Sequence, residues 1–217
     1  MPPEVVSVQT PTTVVNGANR RCVLFPAGRA PTRRVKNAIQ AVYRDYLGSS
    51  VGLPAERVFV CSRIEGEKRR TVRVIGGTYG VERGIPWVAV VDDRRVVPVL
   101  HHELSSHLLR LGVVDAEAWA ALRGPVPASL AEEADRRPPH TTTEALLTAG
   151  FVNWYSVTNA EDDFNEVVEA VYRDYTLHDW LPAHPLLLAK VRFVVATYCS
   201  LGIVVPDFVQ RVLHRPD

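Results

Sequence analysis

The sequence predicts an α+β domain in which a sheet is built first and helices follow. Three observations predict it. β-branched runs at Arg57–Cys61, Thr71–Ile75 and Ile85–Val91 fall in the first half, bounded by charged or glycine-rich turns. After residue 95 the apolar residues recur at helical spacing instead. The length of 217 residues, 47% of them hydrophobic, suits one sizeable globular domain with a real core. The expected organisation is a single domain over 1–217, with an N-terminal arm at 1–19, a sheet lobe at about 20–112 and a helical lobe at about 113–217.

Each element has a local reason. Residues 1–19 are rich in Thr, Val, Pro and Asn and read as an arm. Arg21–Phe25 is a short strand ended by Pro26. Val35, Ile39, Val42, Tyr43, Tyr46 and Leu47 place a helix over 32–47, with Gly48 as its stop. The stretch from Arg63 to Arg73, where Lys68, Arg69 and Arg70 mix with Glu65 and Glu67, reads as a solvated turn. Gly76-Gly77-Thr78-Tyr79-Gly80 reads as a hairpin turn; it lacks the lysine and following helix of a phosphate loop. Pro86 suits Ile85–Val91 to a sheet edge. Asp92-Asp93 leads into a helix from about Val96 to Leu111, closed by Gly112. Asp115 caps a short helix to Leu122. Residues 124–143, with Gly124, Pro125, Pro127, Pro138 and Pro139, read as a lobe boundary or mobile loop. Helices are expected at 143–149 (ended by Gly150), Asn159–Tyr175, Pro185–Leu201 and Val205–Leu213.

Composition excludes several function classes. The formal charge of +1 gives no electrostatic case for nucleic acid or an anionic membrane. Cys22, Cys61 and Cys199 are odd in number and widely spaced, against a disulfide framework or a cysteine zinc site. The N-terminus shows no signal peptide, and no apolar run reaches membrane-span length. A cytoplasmic protein is the default expectation, with export by a signal-less route as the alternative.

The chemistry concentrates at Val99-Leu100-His101-His102-Glu103-Leu104-Ser105-Ser106-His107-Leu108-Leu109. Three of the chain's seven histidines lie here beside a glutamate. Hydrolytic zinc needs neutral imidazoles, an open coordination position, and a carboxylate to take a proton from water. H-E-x-x-H on a helix puts both histidines on one face, with the glutamate as base. Here the spacing is H-E-x-x-x-H, and on a regular helix i+5 lies ~140° from i. A π-bulge between Glu103 and His107 would restore one face and keep His102 and His107 as ligands. Alternatively Glu103 and His107, at i and i+4, are both ligands and another group is the base. A core stripe of Leu100, Leu104, Leu108 and Leu111 flanked by histidines would explain a lone histidine, but explains this cluster less well. His140 reads as an exposed loop histidine, and His178 and His184 as structural.

A second segment, Phe151 to Glu166, could supply a carboxylate. Thr158 or Asn159 can cap the following helix, and Glu161 and Asp162 suit its positive end. Asp162 and Glu166, at i and i+4, share a face.

Together, the strand, the His-Glu-His helix and the downstream Tyr-x-x-Thr-Asn-x-x-acid-x-Phe-x-Glu segment resemble the zincin metallopeptidases, gluzincin-like. More narrowly, they resemble the catalytic domain of anthrax lethal factor and its relatives, over about residues 85–176. The resemblance implies one zinc ion held by His102, His107 and Asp162, with Glu103 as general base. It implies Tyr155 as the oxyanion donor and Glu166 as the acid that supports the metal ligands. Two departures stand: the longer histidine spacing, and Asp for Glu at the third ligand, which leaves Glu161 and Glu166 as alternatives. The expected activity is hydrolysis of a peptide bond in a peptide or protein substrate. The alternatives are an iron enzyme with oxidative chemistry, or a metal-free binding module on the same fold.

Overall fold

The computed structural model describes residues 2–68, 71–134, 143–173 and 181–213. The chain forms two compact units, Met1–Leu108 and Leu109–Asp217.

The described residues of the first unit form eight strands: β1 (Glu4–Ser7), β2 (Thr12–Val15), β3 (Arg21–Phe25), β4 (Arg57–Cys61), β5 (Arg63–Lys68), β6 (Thr71–Ile75), β7 (Gly77–Glu82) and β8 (Ile85–Val91). Helix α1 (Arg33–Asp45) joins β3 to β4, and α2 (Val96–Arg110) follows β8, its last two residues belonging to the second unit. One sheet has the order β1-β4-β8-β7, parallel except for the antiparallel β7–β8 pair. The other, β2-β3-β5-β6, is antiparallel throughout. Cys22, Leu24 and Ile64 of the second sheet pack with Cys61, Trp87 and Ala89 of the first, closing one core.

Four expectations change in this unit. The stretch 1–19 is not a bare arm: β1 pairs with β4, and β2 with β3. Arg63–Lys68 is a strand rather than a turn, because Ile64 is fully buried and anchors an otherwise charged run. Gly77–Glu82 is likewise a strand, and its glycines serve close approach rather than reversal. β8 lies between β4 and β7, so it is central and β7 is the edge. Its burial on both faces fits that place. Pro86 is tolerated there as the second residue of the strand.

Helix α1 forms as its spacing predicts. Thr32 caps it by accepting from the Val35 N–H at 3.3 Å, and Val35, Ile39, Val42 and Tyr43 form its buried face. Gly48 takes the left-handed conformation, φ +85°, after its end. α2 is buried well beyond one stripe, with Leu100, Leu104 and Leu108 fully covered, and Gly112 (φ +68°) closes it as expected.

The second unit is helical: α3 (Ala116–Arg123), α4 (Ala128–Ala134), α5 (Thr143–Thr148), α6 (Ala160–Arg173), α7 (Pro185–Ser200) and α8 (Asp207–Leu213). Asp115 caps α3 as expected, accepting from the Ala118 N–H at 2.9 Å. Within the expected loop at 124–143, residues 128–134 form α4, whose Leu130 packs with Leu146, Phe151 and Val157. His140 and His178 lie outside the described residues. His184 is buried at the start of α7. A second cluster places Trp119 edge-on to Phe164 (5.1 Å between ring centroids) and beside Phe193 (5.5 Å). The Trp119 indole N–H donates to the Ala160 carbonyl at 2.9 Å, which ties α3 to the start of α6.

A charged knot sits inside this apolar unit. Lys190 of α7 lies 2.8 Å from Asp163 Oδ2 and donates to the Gly150 carbonyl at 2.6 Å, and all these groups are buried. The ammonium also lies 4.3 Å from the Phe151 ring centroid. Burial pushes the Asp163 carboxyl up to about 6 against the pull of Lys190, and burial likewise lowers the Lys190 ammonium. Among the described residues, no helix is long and apolar enough to cross a membrane.

Candidate active site

Helix α2 is regular from Val96 to Arg110, so the expected bulge between Glu103 and His107 is absent. The apolar residues around the motif fill a helix with intact spacing, and nothing in the local sequence forces an extra residue into a turn. His102 and His107 therefore point about 140° apart. The residue one turn after His102, on its own face, is Ser106.

The α2 polar groups go to distinct places. His101 is fully buried, stacked on Tyr46, with Nε2 3.5 Å from Asp45. Burial lowers its pKa against the pull of Asp45. His107 is buried, its ring edge-on to Tyr79 at 5.0 Å, with Nε2 3.1 Å from the Trp87 carbonyl. A carbonyl only accepts, so that nitrogen carries the proton and donates toward β8. His102 is half-buried.

Glu103 is 7% exposed and lies against β7. A side chain at Gly77 would meet Glu103 Oε1 and Val99 at 2.6 Å. The bare glycine backbone lets the edge strand approach the acid, and this is the most definite feature of the site in the first unit.

In the second unit, Asp162 sits at the start of α6. Its Oδ2 accepts from Asn159 at 2.7 Å and from the Thr158 hydroxyl, while its own N–H donates to Asn159 Oδ1 at 2.8 Å. That reciprocal arrangement caps the helix. Glu166, one turn on, is buried, and its Oε2 accepts from Asn153 Nδ2 at 2.5 Å. Glu169, three residues further, pairs with Arg173 at 3.2 Å. Glu161 and Tyr155 lie before these on the same stretch, and Tyr155 is 42% exposed.

Sequence reasoning passed over Gly77, Asn153 and Glu169. A glycine within a strand-like alternation was a signal for Gly77. The i, i+3 spacing of Glu166 and Glu169 was a signal for the last. Asn153 carries no mark in the sequence, because only the folded turn brings it to Glu166.

No known family profile matches the chain, and no curated protein matches its sequence. Among solved structures, it is similar to the crystal structure of a candidate zinc-binding metallo-peptidase from Bacteroides caccae. Identity is 13% and the TM-score is 0.55, over 83% of this chain and 74% of that one. At that identity the likeness shows the fold alone, and its α+β class is the one the sequence predicts.

Proposed function

We propose that the chain is a zinc-dependent peptidase, with His102 of α2 as a metal ligand and Glu103 as the general base, and with the carboxylates of α6, Glu166 and Glu169, as the acidic ligands the ion would take. The observation that carries the reading is the His102-Glu103 pair on a regular buried helix, with the glutamate seated against the edge strand β7. The fold likeness supports it, since the similar structure is named as a candidate zinc-binding metallo-peptidase.

This ligand set departs from the one implied by family resemblance. Asp162 has its carboxylate engaged in the α6 cap, and His107 donates Nε2–H to Trp87. Glu166 and Glu169 lie on one face of α6, as i, i+3 neighbours do. One imidazole and two carboxylates are donors that zinc accepts, so the residues fit the ion. On this reading a second carboxylate stands in for the second histidine, whose helical position Ser106 occupies.

Bound zinc supplies a Lewis acid that polarises a scissile carbonyl and acidifies water. Glu103 then takes a proton from the attacking water and returns it to the leaving amine. Its buried position keeps bulk water from competing for that proton. Tyr155, exposed on the turn before α6, donates to the developing oxyanion. Cleavage products from a mixed peptide pool, read by mass spectrometry, test the reading. Wild type loaded with zinc cleaves, and Glu103→Gln keeps its zinc but loses at least about 100-fold in turnover. Undiminished cleavage by Glu103→Gln would remove the base assignment.

One observation favours a second reading. Ser106, at i+4 from His102, is not an ordinary zinc ligand, as a metal-free binding module would allow. Zinc then fails to raise the melting temperature at any concentration.

A further inference from the structure

We infer that Asn153 is a positioning residue that locks the Glu166 carboxylate to the turn carrying Tyr155; this rests on the zinc reading above. Its one amide makes both connections. Nδ2 donates to Glu166 Oε2 at 2.5 Å. Oδ1 accepts from the backbone N–H of Tyr155 at 2.7 Å and of Ser156 at 3.2 Å. The turn is closed on both sides of this amide. The buried Ser156 hydroxyl accepts from the Asn153 N–H at 3.2 Å, and the Thr158 backbone N–H donates to the Tyr155 carbonyl at 3.1 Å. Arg123 of α3 holds the Val157 carbonyl at 2.9 Å.

The residue type is chemically demanding. An amide offers a donor to the carboxylate from one atom and an acceptor to two backbone N–H groups from another. Aspartate would keep the acceptor for Tyr155 and Ser156 but set a second anion against Glu166. Alanine would lose both. A donor on one oxygen of a ligating carboxylate fixes the tilt of the group, and loss of such a support costs 10–100-fold in metal affinity. Through the same amide, the geometry that orients a metal ligand also orients the backbone of the proposed oxyanion donor.

The test is zinc affinity of the full chain, by competition with a chromogenic chelator, alongside the melting temperature of the zinc-free protein. Wild type, Asn153→Asp, Asn153→Ala and Glu166→Gln are compared. Asn153→Asp is expected to bind zinc about 10–100-fold more weakly than wild type. Its zinc-free melting temperature falls less than that of Asn153→Ala, because the turn keeps its acceptor although a second anion now faces Glu166. Asn153→Ala loses a similar factor in affinity and also melts lower. If Glu166→Gln weakens zinc binding and Asn153→Asp does not, the inference fails while the zinc reading stands. If wild type itself binds no zinc, both fall together.

Discussion

Gly77 and Glu103 touch because Gly77 has no side chain: a Cβ there would lie 2.6 Å from the carboxylate oxygen. The edge strand β7 and the proposed base are thus fitted to each other. Gly77→Ala forces Glu103 and Val99 to move. It is expected to destabilise the chain by about 1–3 kcal/mol, read by urea unfolding. Turnover should drop more than zinc content does, because the displaced group is the base. Wild-type turnover in Gly77→Ala would show that the contact has no role in catalysis.

Asp162 and Glu166 separate capping from metal binding. Asp162→Ala removes the carboxylate that holds the Asn159 cap in place and should cost at most about 1 kcal/mol in stability, with zinc affinity unchanged. Glu166→Gln should lose zinc. The reverse pattern in a chelator titration would restore Asp162 as the ligand.

Asp163 and Lys190 are each the other's compensation inside the helical unit. Asp163→Asn leaves a buried ammonium with no counter-charge and should cost about 3–5 kcal/mol. Lys190→Met should cost a comparable amount. The double variant Asp163→Asn with Lys190→Met is expected to lose clearly less than the two single losses combined, as a double-mutant cycle in urea would show. Strict additivity would mean that the pair is not coupled.

The three cysteines should differ sharply in reactivity. Burial pushes the Cys61 thiol up to about 12 and raises Cys22 as well, whereas Cys199 is exposed. Only the thiolate reacts, so a disulfide reagent at pH 8 should label Cys199 quickly and the other two only after unfolding. Rapid labelling of three thiols in the native protein would contradict the burial of Cys22 and Cys61.

The elements with strong local signals were legible in the sequence. Gly48, Asp115 and Gly112 mark helix ends by chemistry that acts within one turn, and they behave as read. β5 and β7 were not legible, since Ile64 is a single anchor in a charged run and the glycines of β7 mimic a turn. Their strand character comes from pairing with distant partners, Leu24 for Ile64 and Val88 for Tyr79. The proposed site starts from His102 and Glu103, which the sequence places side by side on one helix. It was not legible at His107, whose direction depends on helix regularity, nor at Asn153, whose partner lies thirteen residues away.

Zinc content measured by mass spectrometry on His102→Ala and His107→Gln tests the central claim most directly. The account predicts about one zinc per chain in wild type and in His107→Gln, and none in His102→Ala. Zinc lost with His107 and kept without His102 would contradict it.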